Sequence, residues 1–162
     1  MIMSDKKLVI DRFRGKYRFL SNFYICSIEV QEDIPGSGIV SIVYPSVEHA
    51  FQAAKSFALW YKLAVRDADS PGDAKRMGRE IQARPEWEDV KVPIMLELLH
   101  KKFSHSDLGE KLLQTGYAEL IEGNNWRDME WGVCGGEGKN LLGKLLMQVR
   151  DDIMMEKSVL GG

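Results

Sequence analysis

The sequence predicts an α+β fold that is mostly helical, with a small antiparallel β element near the N-terminus. Alternating apolar and polar residues, typical of strands, are concentrated in residues 13–44. From Ser46 onward the apolar spacing changes to three and four residues, which is typical of amphipathic helices. Because the strands do not alternate with the helices along the chain, a doubly wound parallel sheet is not expected.

Three strand-like runs form the predicted N-terminal β element. They are FRGKYRFL from Phe13, YICSIEV from Tyr24 and IVSIVY from Ile39. The last two runs are rich in β-branched residues and flank the turn-forming segment Pro35–Gly38. This arrangement predicts a hairpin whose loop is longer than the shortest types.

The first helix is predicted to begin after Ser46, which has the position of an N-cap. Apolar residues recur at helical spacing as far as Val65, so one continuous helix is expected. The segment Ser70–Asp73 predicts the next helix, because it places a serine cap before a proline and an acidic residue in the first turn.

Three more helices are predicted towards the C-terminus. One runs from near Pro85 to Phe103, and Pro93 either kinks it or divides it. Ser106 is expected to cap another, which ends near Gly116.

The chain after this helix is predicted to contain a short strand, a long irregular segment and a final helix. The strand is YAELIE, and the irregular segment covers residues 124–140. The apolar face of the final helix is expected to comprise Leu141, Leu142, Leu145, Leu146, Val149 and Ile153.

Composition predicts one globular domain over residues 1–162, with its core at about 13–150. The chain has 44% hydrophobic and 28% charged residues, no repeat and no Pro/Gly/Ser-rich linker. Its net charge of −2 excludes a global basic field that would hold a nucleic-acid backbone. Cys26 and Cys134 are expected to be reduced thiols.

We expect a cytoplasmic protein, because the N-terminus lacks a signal-peptide pattern and no run approaches about 20 apolar residues. No metal and no cofactor are expected, since the sequence has neither HExxH nor a Cys/His cluster. It also lacks a Walker loop, GxGxxG and GxSxG.

The first candidate site is the helical segment PSVEHAFQAAK. Glu48, Gln52 and Lys55 fall on one stripe of this helix beside its apolar face. They would line the floor of a pocket, or alternatively form a solvated ion-pair face. His49 lies next to this stripe, either as a core residue with its hydrogen bonds satisfied or as a ligand.

The second candidate site is the irregular segment that precedes the last helix. Its glycines allow close backbone approach, and a helix N-terminus favours phosphate. Two tryptophans, Trp126 and Trp131, offer stacking surfaces, and Asp128 offers a carboxylate. The alternative is a well-packed surface loop.

Two smaller groups complete the candidates. Lys75, Arg76 and Arg79 are either phosphate ligands or ordinary surface cations. Asn22 and Phe23 belong to an SNF turn, which alone predicts little.

Together these segments resemble the riboflavin-biosynthesis-intermediates N-glycosidase family, also called YbiA-like or NADAR. The resemblance extends from about Phe13 to Arg150. It is carried, in order, by FLSNFY, YPSVEHAFQAAK, SPGDAKRMGR, WEDVKVPIMLELLHKKF, LLQTGYAELIE, D-x-x-WG and GxGKNLLGKLLMQVR.

The resemblance implies a compact, largely helical fold and hydrolysis of the bond between ribose C1 and a nitrogen. It implies Glu48 and Asp128 as catalytic carboxylates. The implied substrate-binding residues are Asn22, Phe23, His49, Gln52, Lys55, Arg79, Trp87, Trp131, Gly132 and Asn140. Some members have an acidic residue where this chain has Val133 after the Trp-Gly pair, which weakens the implied pyrimidine-intermediate substrate.

The implied chemistry suits these residue types. Cleavage of an N-glycoside passes through an oxocarbenium-like transition state, which one carboxylate stabilises while another transfers protons, by analogy with O-glycosidases. Lys55 and Arg79 would hold phosphate, and Trp87 and Trp131 would shape the base pocket. This hypothesis requires Glu48 and Asp128 to meet at one cleft.

Three other functions compete with this one. An ADP-ribosyl hydrolase would release ADP-ribose from a nucleobase, such as guanine in nucleic acid. A non-catalytic module would bind ADP-ribose or NAD, and a plain interaction domain would use the Trp/Gly-rich segment as a protein contact. The expected partner is therefore a phosphorylated riboside or an ADP-ribose-containing molecule, without a membrane, and the sequence leaves the oligomeric state open.

Overall fold

A computed structural model describes residues 7–161 of the chain. Its backbone contacts group the residues into two units. The terminal unit joins the chain up to Ser21 with His105 and the residues that follow it, and the central unit is Asn22–Ser104. The single domain over residues 1–162 stays a prediction.

The central unit consists of a β-hairpin followed by four helices. The hairpin pairs β2 (Ile28–Ile34) with β3 (Gly38–Tyr44) in antiparallel register, with Ile28 opposite Tyr44. The helices are α1 (Val47–Ala53), α2 (Leu59–Arg66), α3 (Pro71–Glu80) and α4 (Trp87–Phe103).

The hairpin and its turn were predicted correctly, whereas the first strand-like run was not. The segment from Gly15 to Leu20 is a 3-10 helix, because Gly15 has a φ of +58° and Tyr17 N–H donates to the Arg14 carbonyl. This backbone conformation starts a turn that an extended strand would not allow.

Both serine caps in the central unit form as predicted. Ser46 accepts a hydrogen bond from His49 N–H at the start of α1, and Ser70 accepts one from Asp73 N–H at the start of α3. Each bond satisfies one of the N–H groups that a helix N-terminus leaves without a partner.

The single helix predicted between residues 47 and 65 was wrong, because it is divided into α1 and α2. Side chains of α2 fold back onto the last carbonyls of α1. The Tyr61 hydroxyl donates to the Gln52 carbonyl, and Lys62 Nζ donates to the Ala53 carbonyl. These tertiary hydrogen bonds take acceptors that helix continuation would have used.

Helix α4 passes through Pro93 without a break, so of the two alternatives the division at Pro93 is excluded. In the terminal unit, α5 (Ser106–Gln114) starts one residue earlier than predicted. His105 has the N-cap position, and Ser106 is the first helical residue.

The terminal unit also contains two pairs of two-residue parallel strands and a long last helix. Leu142, Leu145, Leu146 and Val149 of that helix are buried, whereas Leu141 and Ile153 of the predicted face are half-buried. The elements are β1 (Val9–Ile10) with β4 (Glu119–Leu120), β5 (Gly123–Asn124) with β6 (Val133–Cys134), and α6 (Leu141–Leu160).

The predicted α+β class is therefore confirmed, with much more helix than strand and an antiparallel pair in the N-terminal part. No helix among residues 7–161 is long and apolar enough to cross a membrane. The cytoplasmic location stays a prediction. Neither Cys26 nor Cys134 is part of a disulfide bond.

Candidate active site

The part of the predicted stripe that lies on α1 is buried, so it is not a solvated ion-pair face. Glu48 and Gln52 are only 7% and 5% exposed. The Gln52 side-chain amide donates a hydrogen bond of 2.8 Å to Oε1 of Glu48. The amide therefore holds a buried carboxylate in a defined orientation.

Lys55, the third residue of the predicted stripe, follows the end of α1, is half-buried and contacts two other helices. Its Nζ donates to the Gly78 carbonyl on α3 at 3.0 Å and lies 5.9 Å from the centre of the Trp87 ring on α4. Burial lowers the pKa of Lys55, and the Glu48 carboxylate opposes that shift. The ammonium is thus within electrostatic reach of the buried carboxylate.

Two cationic side chains of α3, those of Arg79 and Lys75, lie near Lys55. The positive charges of Arg79 and Lys75 lower the pKa of Lys55 further, which puts both side chains within electrostatic range of Lys55. Arg76, by contrast, pairs with Asp73 at 3.2 Å and is largely exposed. The structure therefore separates the predicted basic group into two members within electrostatic range of Lys55 and one that pairs with Asp73.

The SNF turn lies against the start of α1. The Asn22 carbonyl accepts a hydrogen bond from Glu48 N–H, and Asn22 Nδ2 donates to the sulfur of Met95. Oδ1 of Asn22 is buried and receives no hydrogen bond from any residue in the described range. Phe23 lies under Lys75, whose Nζ is 5.9 Å from the ring centre. Both predicted residues are thus close neighbours of the Glu48 stripe.

Trp87, the first residue of α4, packs beneath this site. Its ring is 8% exposed and lies 5.0 Å from the ring of Phe51, tilted by 49°. Packing against Phe51 and Lys55 gives Trp87 a supporting position, and its predicted contact with a base stays a prediction.

His49 points away from the stripe into the protein. Its Nε2 donates to the Ala68 carbonyl at 3.1 Å, and its Nδ1 accepts from the Ser46 hydroxyl at 2.7 Å. Burial lowers the pKa of His49, which favours the neutral ring that this hydrogen-bond pattern requires. Because both ring nitrogens are occupied, the geometry favours the core role over that of a substrate ligand.

Asp128 lies in the terminal unit, in the predicted irregular segment. Its Oδ1 accepts hydrogen bonds from Glu130 N–H at 3.2 Å and from Trp131 N–H at 2.9 Å. Asn124 supports the same turn by donating to the Asp128 carbonyl. Part of this carboxylate thus shapes the loop, and its meeting with Glu48 stays a prediction.

At the N-terminus of the last helix, the geometry favours the packed loop over the phosphate site. Leu141 N–H donates to the Glu130 carbonyl and Leu142 N–H to the Trp131 carbonyl. The loop thereby caps the first turn of α6 with its own backbone, and these N–H groups are not open to an anion.

Gly132 and Asn140 have structural tasks in this loop. A Cβ at Gly132 would lie 2.2 Å from the Glu122 carbonyl oxygen, so only glycine allows this approach. Asn140 Oδ1 accepts from Glu122 N–H and its Nδ2 donates to the Leu120 carbonyl. Because each amide atom makes one hydrogen bond to backbone, Asn140 fixes the loop, and its predicted substrate contact stays a prediction.

The central unit therefore brings together seven of the twelve predicted site residues. They are Asn22, Phe23, Glu48, Gln52, Lys55, Arg79 and Trp87. His49 is in the same unit but faces the core, and Asp128, Trp131, Gly132 and Asn140 belong to the terminal unit. Gly78 was not among the predicted site residues. Lys75 was a candidate only as a member of the basic group, and it precedes Arg79 by one helical turn, which is the signal that links them.

A buried carboxylate beside grouped cations, on the helices of an α+β fold, has the features of a hydrolase that acts on an anionic substrate. Comparison with known proteins narrows this class. The NADAR domain family matches residues 11–154, and the chain belongs to this family.

Named relatives agree with the family. N-glycosidase YbiA of Escherichia coli (strain K12) is 42% identical over 118 residues, which cover 70% of this chain and 73% of the relative. A riboflavin biosynthesis protein of Vibrio vulnificus (strain YJ016) is 37% identical over 139 residues, covering 83% of this chain and 35% of that protein.

A solved structure matches as well. The NMR structure of the E. coli protein YbiA has a TM-score of 0.74 and 35% identity, covering 94% of this chain and 92% of that chain. The predicted YbiA-like fold is thereby confirmed, and so is the predicted enzyme class, an N-glycosidase.

Proposed function

We propose that this chain hydrolyses the bond between ribose C1 and nitrogen in a ribosylamino-pyrimidine phosphate of riboflavin synthesis. The observation that carries the proposal is the Glu48 carboxylate, buried and hydrogen-bonded to Gln52, within electrostatic reach of Lys55. The name of the Vibrio relative and those of the N-glycosidase relatives support this substrate class.

In the proposed reaction, the oxygen of water forms a bond to C1 as the C1–N bond breaks. The leaving nitrogen takes a proton, and the products are the amine and a ribose phosphate. Glu48 stabilises the positive charge that develops at C1 and accepts a proton from the attacking water. Its fixed orientation lowers the cost of aligning the carboxylate with the reacting atom.

Lys55, Lys75 and Arg79 bind the phosphate group in this proposal. Arginine offers paired N–H donors to phosphate oxygens, and the lysines offer positive charge. The lowered pKa of Lys55, caused first by burial, is consistent with a cation that gains stability when an anion arrives beside it. Arg76 is omitted because Asp73 already pairs with it.

Asp128 is the proposed second carboxylate. Its Oδ1 accepts hydrogen bonds from two loop N–H groups, and the side-chain oxygen of an asparagine could accept the same bonds. Asp128→Asn therefore removes the charge while keeping the loop contacts. A fall in kcat without a fall in melting temperature supports a role in proton transfer, and an unchanged kcat contradicts it.

The central experiment is Glu48→Gln, which preserves size and removes the charge. Release of the pyrimidine amine and ribose phosphate is followed by chromatography. We expect kcat to fall by about 10²- to 10⁴-fold, the range for lost acid–base assistance. Glu80→Gln at the exposed end of α3 is the control and retains the wild-type rate. Wild-type turnover by Glu48→Gln overturns the assignment.

The competing functions give different products in the same assay. An oligonucleotide carrying ADP-ribosylated guanine releases ADP-ribose only if the chain is an ADP-ribosyl hydrolase. Tight binding of ADP-ribose in calorimetry, with no turnover of any riboside, would instead indicate a binding module.

A further inference from the structure

Gly78 lies inside α3, where glycine is a poor helix former. The φ of Gly78 is not positive, so alanine could adopt the same backbone conformation. Conformational freedom therefore does not explain a glycine at this position, and a packing constraint does.

The constraint is the side-chain amide of Gln52. A Cβ built on Gly78 would lie 1.7 Å from Oε1 of Gln52 and 2.6 Å from its Cδ. No covalently separate atoms approach this closely, so the amide occupies the space that any other residue at position 78 would fill. Oε1 is buried and receives no hydrogen bond from a residue in the range 7–161.

The same glycine contacts Lys55 through its backbone. The Gly78 carbonyl accepts the hydrogen bond from Lys55 Nζ at 3.0 Å. One residue of α3 thus borders two polar side chains near the Glu48 carboxylate. It makes room for Gln52 of α1 and binds Lys55, which follows α1.

We propose that Gly78 is a positioning residue for hydrolysis: its missing side chain lets Gln52 adopt the conformation that orients the Glu48 carboxylate. This inference rests on the proposed function of Glu48. It adds that the free space at position 78 controls the orientation of Glu48 and, through it, the rate of the chemical step.

Gly78→Ala tests the proposal because the fold can accommodate the new methyl group by moving one side chain. The atoms that a Cβ would meet first belong to the end of a flexible side chain rather than to the backbone. We expect Gln52 to rotate away while the helices stay in place, since alanine also favours the helix. The hydrogen bond from Gln52 to Glu48 is then lost.

The expected result is a fall in kcat of about 10- to 100-fold, the scale of a misplaced catalytic group, with KM changed less than threefold. Gly72→Ala is the matched control in the same helix, because a Cβ there meets only Ser70 Oγ at 3.7 Å. That variant retains the wild-type kcat. A Gly78→Ala enzyme with wild-type kcat overturns the proposal.

A double variant separates positioning from general damage. Gln52→Ala empties the space beside position 78, so Gly78→Ala in that background has no clash to relieve. The double variant is expected to fold and to match the kcat of Gln52→Ala within a factor of two. A further tenfold loss shows that Gly78 acts by another route and overturns the proposal.

A spectroscopic measurement separates this proposal from the proposed function. In ¹⁵N-labelled protein, the Gln52 side-chain NH₂ resonances are assigned by their loss in Gln52→Ala. They are expected to shift in Gly78→Ala and in Glu48→Gln, and to stay in place in Gly72→Ala. If the wild type hydrolyses no riboside, the proposed function fails while these shifts still report the geometry. If the resonances of Gly78→Ala do not move, the positioning role is overturned even in an active enzyme.

Discussion

The ammonium of Lys62 on α2 lies 3.1 Å from the carboxylate of Glu32 on β2, and the two side chains are only 4% and 15% exposed. The Tyr44 hydroxyl of β3 donates to the other oxygen of the same carboxylate at 3.0 Å. This buried group connects the hairpin to α2, and other side-chain bonds of α2 are made to the last carbonyls of α1. Helix α2 therefore makes polar contacts with both the hairpin and the end of α1, the helix that carries Glu48.

Removing one partner of this ion pair is expected to destabilise the protein strongly. Lys62→Met leaves the Glu32 carboxylate buried without its cation, which costs about 3–5 kcal/mol in other proteins. Urea denaturation measures the free energy of unfolding. The double variant Lys62→Met/Glu32→Gln is expected to recover part of the loss, because no charge remains uncompensated. A loss below about 1 kcal/mol in Lys62→Met would mean that the pair is effectively solvated.

Arg79 and Arg76 provide a matched pair for testing the phosphate site. Arg79→Ala is expected to raise the KM of the phosphorylated substrate by about 10- to 100-fold, because a hydrogen bond to a charged group contributes about 1.5–3 kcal/mol. Arg76→Ala is expected to change KM less than twofold, since that side chain pairs with Asp73. Equal effects in both variants would assign phosphate binding to the general charge of α3.

Lys55 is expected to make substrate binding sensitive to alkaline pH. Burial lowers the pKa of Lys55 from the usual value of 10.5, so this ammonium loses its proton at a lower pH than an exposed lysine does. KM for a phosphorylated substrate is therefore expected to rise as the pH increases towards 10. Lys55→Arg keeps the charge and should remove this rise. The measurement is KM as a function of pH for the wild type and for Lys55→Arg. If KM rises equally in both proteins, Lys55 is not the titrating group.

His49 is expected to make stability sensitive to acidic pH. Burial lowers its pKa in the folded protein below the unfolded value of 6.5. Below that value the unfolded chain binds a proton that the folded ring does not. The free energy of unfolding therefore decreases as the pH is lowered, until the pH passes below the pKa of His49 in the folded protein. The contribution of His49 is fully present above pH 6.5.

The measurement is the free energy of unfolding in urea at pH 7.5 and at pH 5.5. His49→Gln should show a smaller difference between the two values than the wild type does. His105→Gln, at an exposed position, should retain the wild-type difference. An undiminished difference in His49→Gln would assign the acid sensitivity to other groups.

Local signals predicted much of the secondary structure. The caps at Ser46 and Ser70 and the turn at Pro35–Gly38 act within a few residues, so their outcome depends little on the rest of the chain. The division between α1 and α2 was missed because it depends on Tyr61 and Lys62 reaching back across the connection. Such contacts leave no trace in hydrophobic periodicity.

The order of residue types along the chain was enough to establish the α+β class, the helical stripe of Glu48, Gln52 and Lys55, and the family. Tertiary structure alone decided which neighbours these side chains meet. It buried the stripe, turned His49 into the core, closed the start of α6 with loop carbonyls and separated Arg79 from Arg76. The physical reason is that spacing defines a face of a helix, whereas burial and hydrogen bonding depend on what another element places against that face.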